Sequence, residues 1–456
     1  MKEIFSDKMF YHIYPLGMCA CPKHNDFCCP AGNCFEQLSG ELDRLVELGI
    51  NALYIGPVFE SSSHGYDTVD YYYIDRRLGN NQKFKDFCQL CHSKGIAVVL
   101  DAVFNHTGRD FFAFKDIILN GRYSQYTDWY VNLNFNQHSC FGDPFDYQGW
   151  AGCMDLVKLN VDNPQVQEHI FGAVKYWIED FQIDGLRLDA ADVLSPAFMD
   201  KLSSFCKSIK KDFWLMGEVV HGDYNNWVRE GRLDSVTNYQ LYKALWSSLN
   251  DGNMFELSYN LDREFGPNGL YTFSRLYNFV DNHDVNRVAS SLKDPDMLSL
   301  LYGILSTIPG IPSIYYGSES GIKGTRGEYD DYQLRPALPP FTPQIPDFAK
   351  PDANCHQLTQ NIRTFARIRK ENSALRTGDY NQLFVSNLLF AFQRKNSDQR
   401  ILVCINADCK PQYMNLQDLK SNGVFTDLLT EKKYSCNDLK GFLIPGKWLT
   451  ILREDL

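Results

Sequence analysis

The sequence lacks an export signal. Its opening, MKEIFSDKMFYHIYPLG, has neither an uninterrupted apolar core nor a small-residue cleavage pattern, so a cytoplasmic protein is expected. It also lacks a membrane span. The longest apolar stretch, Met297 to Tyr316, is divided by Pro309, Gly310 and Pro312 into a helix, a turn and a strand. Positive charge is in deficit: 45 Lys and Arg against 56 Asp and Glu leave a net charge of −11. That balance argues against nucleic acid or another polyanion as partner and favours a neutral or cationic substrate. There is no low-complexity tract and no repeat at a solenoid period.

Cysteine is not scarce. Five of the 14 crowd into CACPKHNDFCCPAGNC, from Cys19 to Cys34. With no export signal a disulfide framework is disfavoured, and the run reads as loop cysteines. A zinc site is the alternative, with Cys88 and Cys91 adding a CxxC and His24 and His92 nearby. Against it, that CxxC sits inside a helical pattern and the run has no two evenly spaced CxxC pairs.

A chain of 456 residues exceeds one ordinary domain, but a (β/α)₈ barrel with insertions absorbs most of that length. The first half alternates nearly continuous apolar runs with amphipathic helices, the pattern of parallel strands covered by helices. Strands are expected at MFYHIYP, NALYIGP, AVVLDAVF, DGLRLD, FWLMGE, DSVTN, LYNFVD and PSIYY. Helices are expected at Phe35 to Leu48, Phe84 to Ser93, Gln165 to Phe181, Pro196 to Ile209 and Gln360 to Arg369. From Thr107 to about Leu159 the alternation stops, and a stretch that long without periodicity implies a functional insertion. From about Gly378 short alternating strands replace it and predict a separate all-β domain.

Acidic and basic residues recur where the expected strands end. Asp101 closes the third. Arg187 and Asp189 alternate on one face of the fourth, opposite Leu186 and Leu188. Glu218 closes the fifth, and His283 and Asp284 follow the seventh. One such residue alone would read as a solvated acid or an ion-pair partner. Four in register would meet over a single barrel mouth, where barrel enzymes carry their catalytic groups. Glycosidic bond cleavage needs paired carboxyls of this kind, one ionised and one protonated.

These segments resemble the four signature regions of the α-amylase family of glycoside hydrolases: DAVFNH (101–106), GLRLDAAD (185–192), GEVV (217–220) and FVDNHD (279–284). The resemblance covers essentially the whole chain. It implies a catalytic barrel over 1–106 and 160–377, an inserted domain over 107–159 and a C-terminal β-sandwich over 378–456. Carried over, it makes Asp189 the nucleophile, Glu218 the general acid/base and Asp284 the third carboxylate. Arg187 would hold Asp189 ionised, while neighbouring carboxylates and burial would raise the pKa of Glu218. His106, His283, Tyr66 and Asp67 would contact sugar, as would Asp331 and Arg335 of YDDYQLRPAL, a pair that also reads as a surface ion pair.

The Ala190-Ala191-Asp192-Val193 sequence lacks the Lys-His of many endo-acting amylases and looks more like enzymes of short maltooligosaccharides or cyclodextrins. No cofactor is required by this reading. Calcium stays open, with Asn105 resembling a calcium ligand of secreted amylases. The expected partner is an α-glucan oligosaccharide, with no nucleic acid and no membrane. Because the first strand begins near Phe10, there is no room for the extra N-terminal domain through which maltodextrin-trimming relatives often dimerise; a monomer or small homo-oligomer is expected. The implied activity is retaining hydrolysis of α-1,4 bonds in maltodextrins. Transglycosylase, phosphorylase or sugar isomerase chemistry on the same scaffold is the alternative, and a non-catalytic carbohydrate-binding relative a third.

Overall fold

A computed structural model describes residues 5–455 apart from 329, 417, 418, 420 and 422. Tyr329, which opens YDDYQLRPAL, therefore lies outside the described residues. At the centre are eight short parallel strands: β1 (Phe10–Ile13), β2 (Ala52–Ile55), β3 (Ala97–Ala102), β4 (Gly185–Leu188), β5 (Trp214–Gly217), β6 (Ser235–Val236), β7 (Tyr277–Asn278) and β8 (Ile311–Tyr315). They are hydrogen-bonded in the order β6-β5-β4-β3-β2-β1-β8-β7. A parallel bridge from Thr237 to Tyr277 brings β6 back to β7. All eight expected strands are present, and the fold is the expected (β/α)₈ barrel.

Period-two alternation sorts each strand into a barrel-facing and a helix-facing set. Phe10, Ala52, Val99, Trp214, Met216, Tyr277 and Ile311 fill the lower barrel as one apolar cluster. Tyr11, Leu53, Val98, Leu100, Leu186 and Leu215 point outward into the larger core shared with the helices. One step further up the barrel-facing set turns polar, with His12, Tyr54, Asp101 and Arg187 in buried positions. The chemistry therefore stands on a packed aromatic floor, in which the Trp214 ring stacks 5.0 Å from Phe5 and 5.3 Å from Phe10.

The helices lie close to where periodicity puts them. The first spans Cys34–Leu48 and ends at Gly49, whose φ of 94° is the left-handed conformation of a helix terminus. A Cβ there would come within 2.5 Å of the Ala366 Cβ on helix Cys355–Glu371, so the site needs glycine twice over. Helix Asn81–Ser93 is capped by the Asn80 side chain, and buries Cys88 and Cys91 as ordinary core residues.

The 107–159 segment contains a helix, Phe112–Asn120, and a small antiparallel sheet of His106–Gly108, Cys153–Lys158 and Gly149–Trp150. Beyond residue 378 a six-stranded antiparallel sheet faces the two-stranded pair Gln412–Met414 and Phe442–Ile444 across an apolar core. Buried Arg394 ties this part to the barrel, donating to the carbonyls of Thr307, at 2.9 Å, and Leu375. Among the described residues no helix is long and apolar enough to cross a membrane.

The cysteine run requires a correction. Cys19 and Cys34 form a disulfide with their Cα atoms 5.7 Å apart, against the expectation of free loop cysteines. Sequence spacing could not show that the loop doubles back. It does so because Arg77 gathers the carbonyls of Pro22, Lys23 and Ser63, and because Asn25 donates to Ser61 O at 3.0 Å. Cys21, Cys28 and Cys29 remain thiols. The zinc alternative has no support, since the described residues hold no group of three or more His, Cys, Asp or Glu able to take a metal.

Candidate active site

Arg187 rises from β4 into the barrel mouth and gathers three carboxyls. Its Nη1 reaches Asp101 Oδ1 and Asp189 Oδ1, both at 2.8 Å, and its Nη2 reaches Glu218 Oε1 at 2.9 Å. The strand ladder sets this meeting. Backbone bonds from Asp189 N to Ala102 O and from Glu218 N to Leu188 O carry the register one residue past β4 and β5. Ala190 follows in a left-handed conformation, φ 45°, that a residue with a Cβ adopts at some cost. The turn aims its N–H at Glu218 Oε2, 3.1 Å away.

Asp284 approaches from the loop after β7. Asn282 Oδ1 accepts the N–H groups of Asp284 and Val285 in an Asx turn, and Asn282 Nδ2 donates to Tyr239 Oη. Arg335 then clamps the loop, with Nη2 at 2.9 Å from Asp284 Oδ1 and 3.1 Å from Asp331 Oδ2, and Nε donating to His283 O. The Asp331–Arg335 pair is therefore part of the site rather than an isolated surface ion pair. Tyr66 Oη donates to Asp101 Oδ2 at 3.0 Å and meets His283 Nε2 in a short hydrogen bond.

Of the ten residues singled out as catalytic or sugar-binding, eight gather at this mouth, His106 at its rim. Asp67 does not join the cluster: it turns behind Tyr66, where Ser63 Oγ donates to its Oδ2 at 2.6 Å. Asn105 is buried with its Nδ2 turned to His106 Nδ1. Hard Ca²⁺ requires a cage of several oxygen ligands. No group of three or more His, Cys, Asp or Glu able to hold a metal gathers among the described residues, and no step is routed through a metal.

Sequence reasoning missed His12, Tyr14, Tyr54 and Tyr239. His12 stacks on Tyr54, 4.1 Å between centroids, and meets His283 edge-on. Tyr54 Oη donates to Asp101 Oδ2 at 2.8 Å. The Arg335 guanidinium lies 4.7 Å over the Tyr14 ring. The available signal was period two along β1 and β2, which places His12 and Tyr54 on the same inner face as Phe10 and Ala52.

Electrostatically the mouth is crowded and largely buried. Burial pushes the Glu218 carboxyl up; Arg187 pulls it back and Asp284 adds to the rise. Asp189 departs from expectation. Arg187 does lower its pKa, but burial and the charges of Glu218 and Asp101 outweigh that pull, and the carboxyl is held well above the usual range. One guanidinium cannot neutralise three buried carboxylates, so the cluster retains protons and titrates as a unit. Burial keeps His283 and His106 neutral, the latter lowered to about 3. The buried nitrogens His106 Nε2 and His283 Nδ1 have no protein partner.

A barrel whose C-terminal mouth pairs acids around one arginine has the equipment for glycosidic bond chemistry. Comparison with known proteins agrees. The model of the alpha amylase catalytic domain matches residues 35–377. A cyclomaltodextrinase of Thermoanaerobacter pseudethanolicus is 32% identical over 396 residues, 85% of this chain and 66% of that protein. An intracellular maltogenic amylase of Bacillus subtilis is 28% identical, covering 94% of this chain and 71% of its own length. A solved cyclomaltodextrinase structure superimposes with a TM-score of 0.84 at 28% identity, over 99% of this chain and 78% of that one. The chain belongs to the alpha-amylase family. It spans 66% of the length of the Thermoanaerobacter cyclomaltodextrinase.

Proposed function

We propose that the protein is a retaining α-glucoside hydrolase that cleaves α-1,4 bonds of maltooligosaccharides and maltodextrins. The observation that carries this reading is the Arg187 bridge, which fixes Asp189 and Glu218 around one cation at 2.8 and 2.9 Å. Retention is typical of the family, and the relatives named cyclomaltodextrinase and maltogenic amylase support the substrate class. The name of the B. subtilis relative supports an intracellular setting.

In the proposed reaction an Asp189 carboxylate oxygen attacks the anomeric carbon of the sugar. The bond to the glycosidic oxygen breaks, and that oxygen takes its proton from Glu218. Glu218, now a carboxylate, removes a proton from water; the resulting oxygen attacks the same carbon and Asp189 departs. The proton that Glu218 holds at the start is the one the leaving group receives. Arg187 stabilises whichever carboxylate is charged. Asp284, with His283, His106 and Tyr66, holds the hydroxyls of the reacting ring, and Asp331 acts with Arg335 to fix that wall. The side chains of this protein supply every step, and no cofactor is drawn on.

Incubation with maltotriose through maltoheptaose and with a cyclodextrin tests the proposal. Release of reducing sugar is expected, and none from any of them would refute it. If another acceptor resolves the intermediate better than water, as in a transglycosylase or phosphorylase, product would rise with added acceptor sugar or phosphate.

A further inference from the structure

The Cys19–Cys34 disulfide ties the wall of the catalytic mouth to a barrel helix. Cys34 opens the helix Cys34–Leu48, whose Leu38, Leu42 and Leu45 anchor it in the main core. Cys19 closes the single turn Pro15–Met18 that follows β1, its N–H donating to Pro15 O at 2.9 Å. The residues of that turn meet the mouth directly. The Tyr14 ring stacks 6.0 Å from His283 and lies beneath the Arg335 guanidinium, while Tyr14 Oη donates to His64 O at 2.6 Å. Gly17 packs so closely on Arg335 that a Cβ there would collide with the Arg335 carbonyl oxygen. Arg335 in turn holds Asp284.

The rest of the cysteine loop does not need the sulfur bridge. Arg77 binds the carbonyls of Pro22 and Lys23, and Asn25 binds Ser61 and Ser62. What the disulfide adds is a tie on the turn beside Tyr14. In the intracellular setting proposed above, that bond meets a reducing thiol pool, where most disulfides that form are ones that cycle.

The two sulfurs are unequal. Cys19 is half-buried and open to attack, whereas Cys34 is buried. Attack on Cys19 Sγ expels Cys34 as a thiolate, and the first turn of a 15-residue helix is where partial positive charge stabilises one. Glu36 in the same turn is already paired with Lys83 at 2.9 Å. Neighbouring thiols make poor attackers. Burial pushes Cys21 up to about 12, and partial burial with the Asp26 carboxylate raises Cys29.

We propose that Cys19–Cys34 is a reversible thiol–disulfide exchange site, opened by a dithiol, whose closed form braces the Tyr14–Arg335 wall of the mouth. One thiolate of the dithiol attacks Cys19 Sγ; the bond to Cys34 breaks and the Cys34 thiolate takes up a proton. The second thiolate attacks the reagent's own sulfur in the mixed disulfide and releases Cys19, which is protonated in turn. Two electrons and two protons pass to the protein, and the dithiol leaves oxidised as a disulfide. The effect on catalysis rests on the hydrolase reading above; the exchange does not.

The test holds the folded protein in graded mixtures of reduced and oxidised dithiothreitol. Free thiols are alkylated and mapped by mass, amide hydrogen exchange is followed over residues 14–21, and kcat/KM is measured on maltotriose. Cys19 and Cys34 should become alkylatable together and reversibly, without unfolding, and the 14–21 amides should exchange faster. The value of kcat/KM should fall about tenfold, as when a positioning contact loosens, and recover on reoxidation. Cys19→Ser and Cys34→Ser should match the reduced enzyme and ignore the reagent, whereas Cys28→Ser should still respond. A bond that never forms, or that opens only when the chain unfolds, would overturn the exchange site. Opening that changes neither amide exchange nor kcat/KM would overturn the brace. A protein that shows the exchange and the faster amides but cleaves no maltooligosaccharide would bring down the hydrolase reading alone.

Discussion

Arg187 illustrates what a single residue decides in this site. Its Nη1 and Nη2 face three carboxyls in a largely buried setting, so protons and charge there are shared. The consequence is a pH profile. In the proposed reaction Glu218 must be protonated to assist departure, and burial raises its pKa above the ordinary glutamate value; activity should fall as pH rises through that raised value. Asp189 must be ionised to attack, and its own elevation moves the acid limb upward as well. The Glu218→Gln variant should lose the basic limb, together with about 10³-fold or more in kcat on maltooligosaccharides. It should retain far more activity on an aryl glucoside, whose leaving group needs no proton. A variant that keeps the basic limb would show that another group is the acid.

The charged residues of the site were legible because strand ends mark them: Asp101, Arg187, Asp189 and Glu218 each close or overrun an apolar run. His12, Tyr14 and Tyr54 were not. Aromatic side chains on an inner barrel face read as packing until a partner such as Asp101 or Arg335 is placed beside them. The ionisation of Asp189 was misjudged for a related reason, since the sequence shows the arginine beside it but not the burial around it.

At the scale of elements, the helix Met254–Phe265 carries a stability device unconnected with catalysis. Glu264 near its end is fully buried; Asn238 Nδ2 donates to its Oε2 at 2.8 Å, and burial lifts its pKa from 4.5 to about 7. The folded state thus holds this proton more tightly than the unfolded chain. The resulting stability is complete below about pH 4.5 and is lost as pH rises through about 7. A shift of that size corresponds to at most about 3 kcal/mol. Thermal unfolding at pH 5 and pH 8 checks it: Glu264→Gln should shrink the fall in Tm between the two, whereas an equal fall in both proteins would contradict the assignment. This helix and its neighbour Tyr239–Asn250 were not foreseen. Their Ser, Asn and Tyr content signals helix weakly, and burial of Leu241, Leu245, Leu257 and Leu261 decides their state. The helix Phe112–Asn120 escaped for the same reason, embedded in an aperiodic insertion.

Across the whole molecule, the eightfold alternation made the barrel readable, because parallel strands covered by helices leave long apolar runs that little else produces. The small sheet of the insertion and the disulfide were not readable, since both depend on segments distant in sequence returning to one another. The account as a whole rests on one bond, between Asp189 and the anomeric carbon of the substrate. A fluorinated α-glucosyl fluoride, in which the ring fluorine slows breakdown more than formation of the intermediate, makes that bond observable. Intact mass should rise by one fluoroglucosyl group, and peptide mapping should place it on the segment containing Asp189, with no labelling of Asp189→Asn. An enzyme that turns over maltooligosaccharides but carries the label elsewhere, or acquires none, would contradict the mechanism.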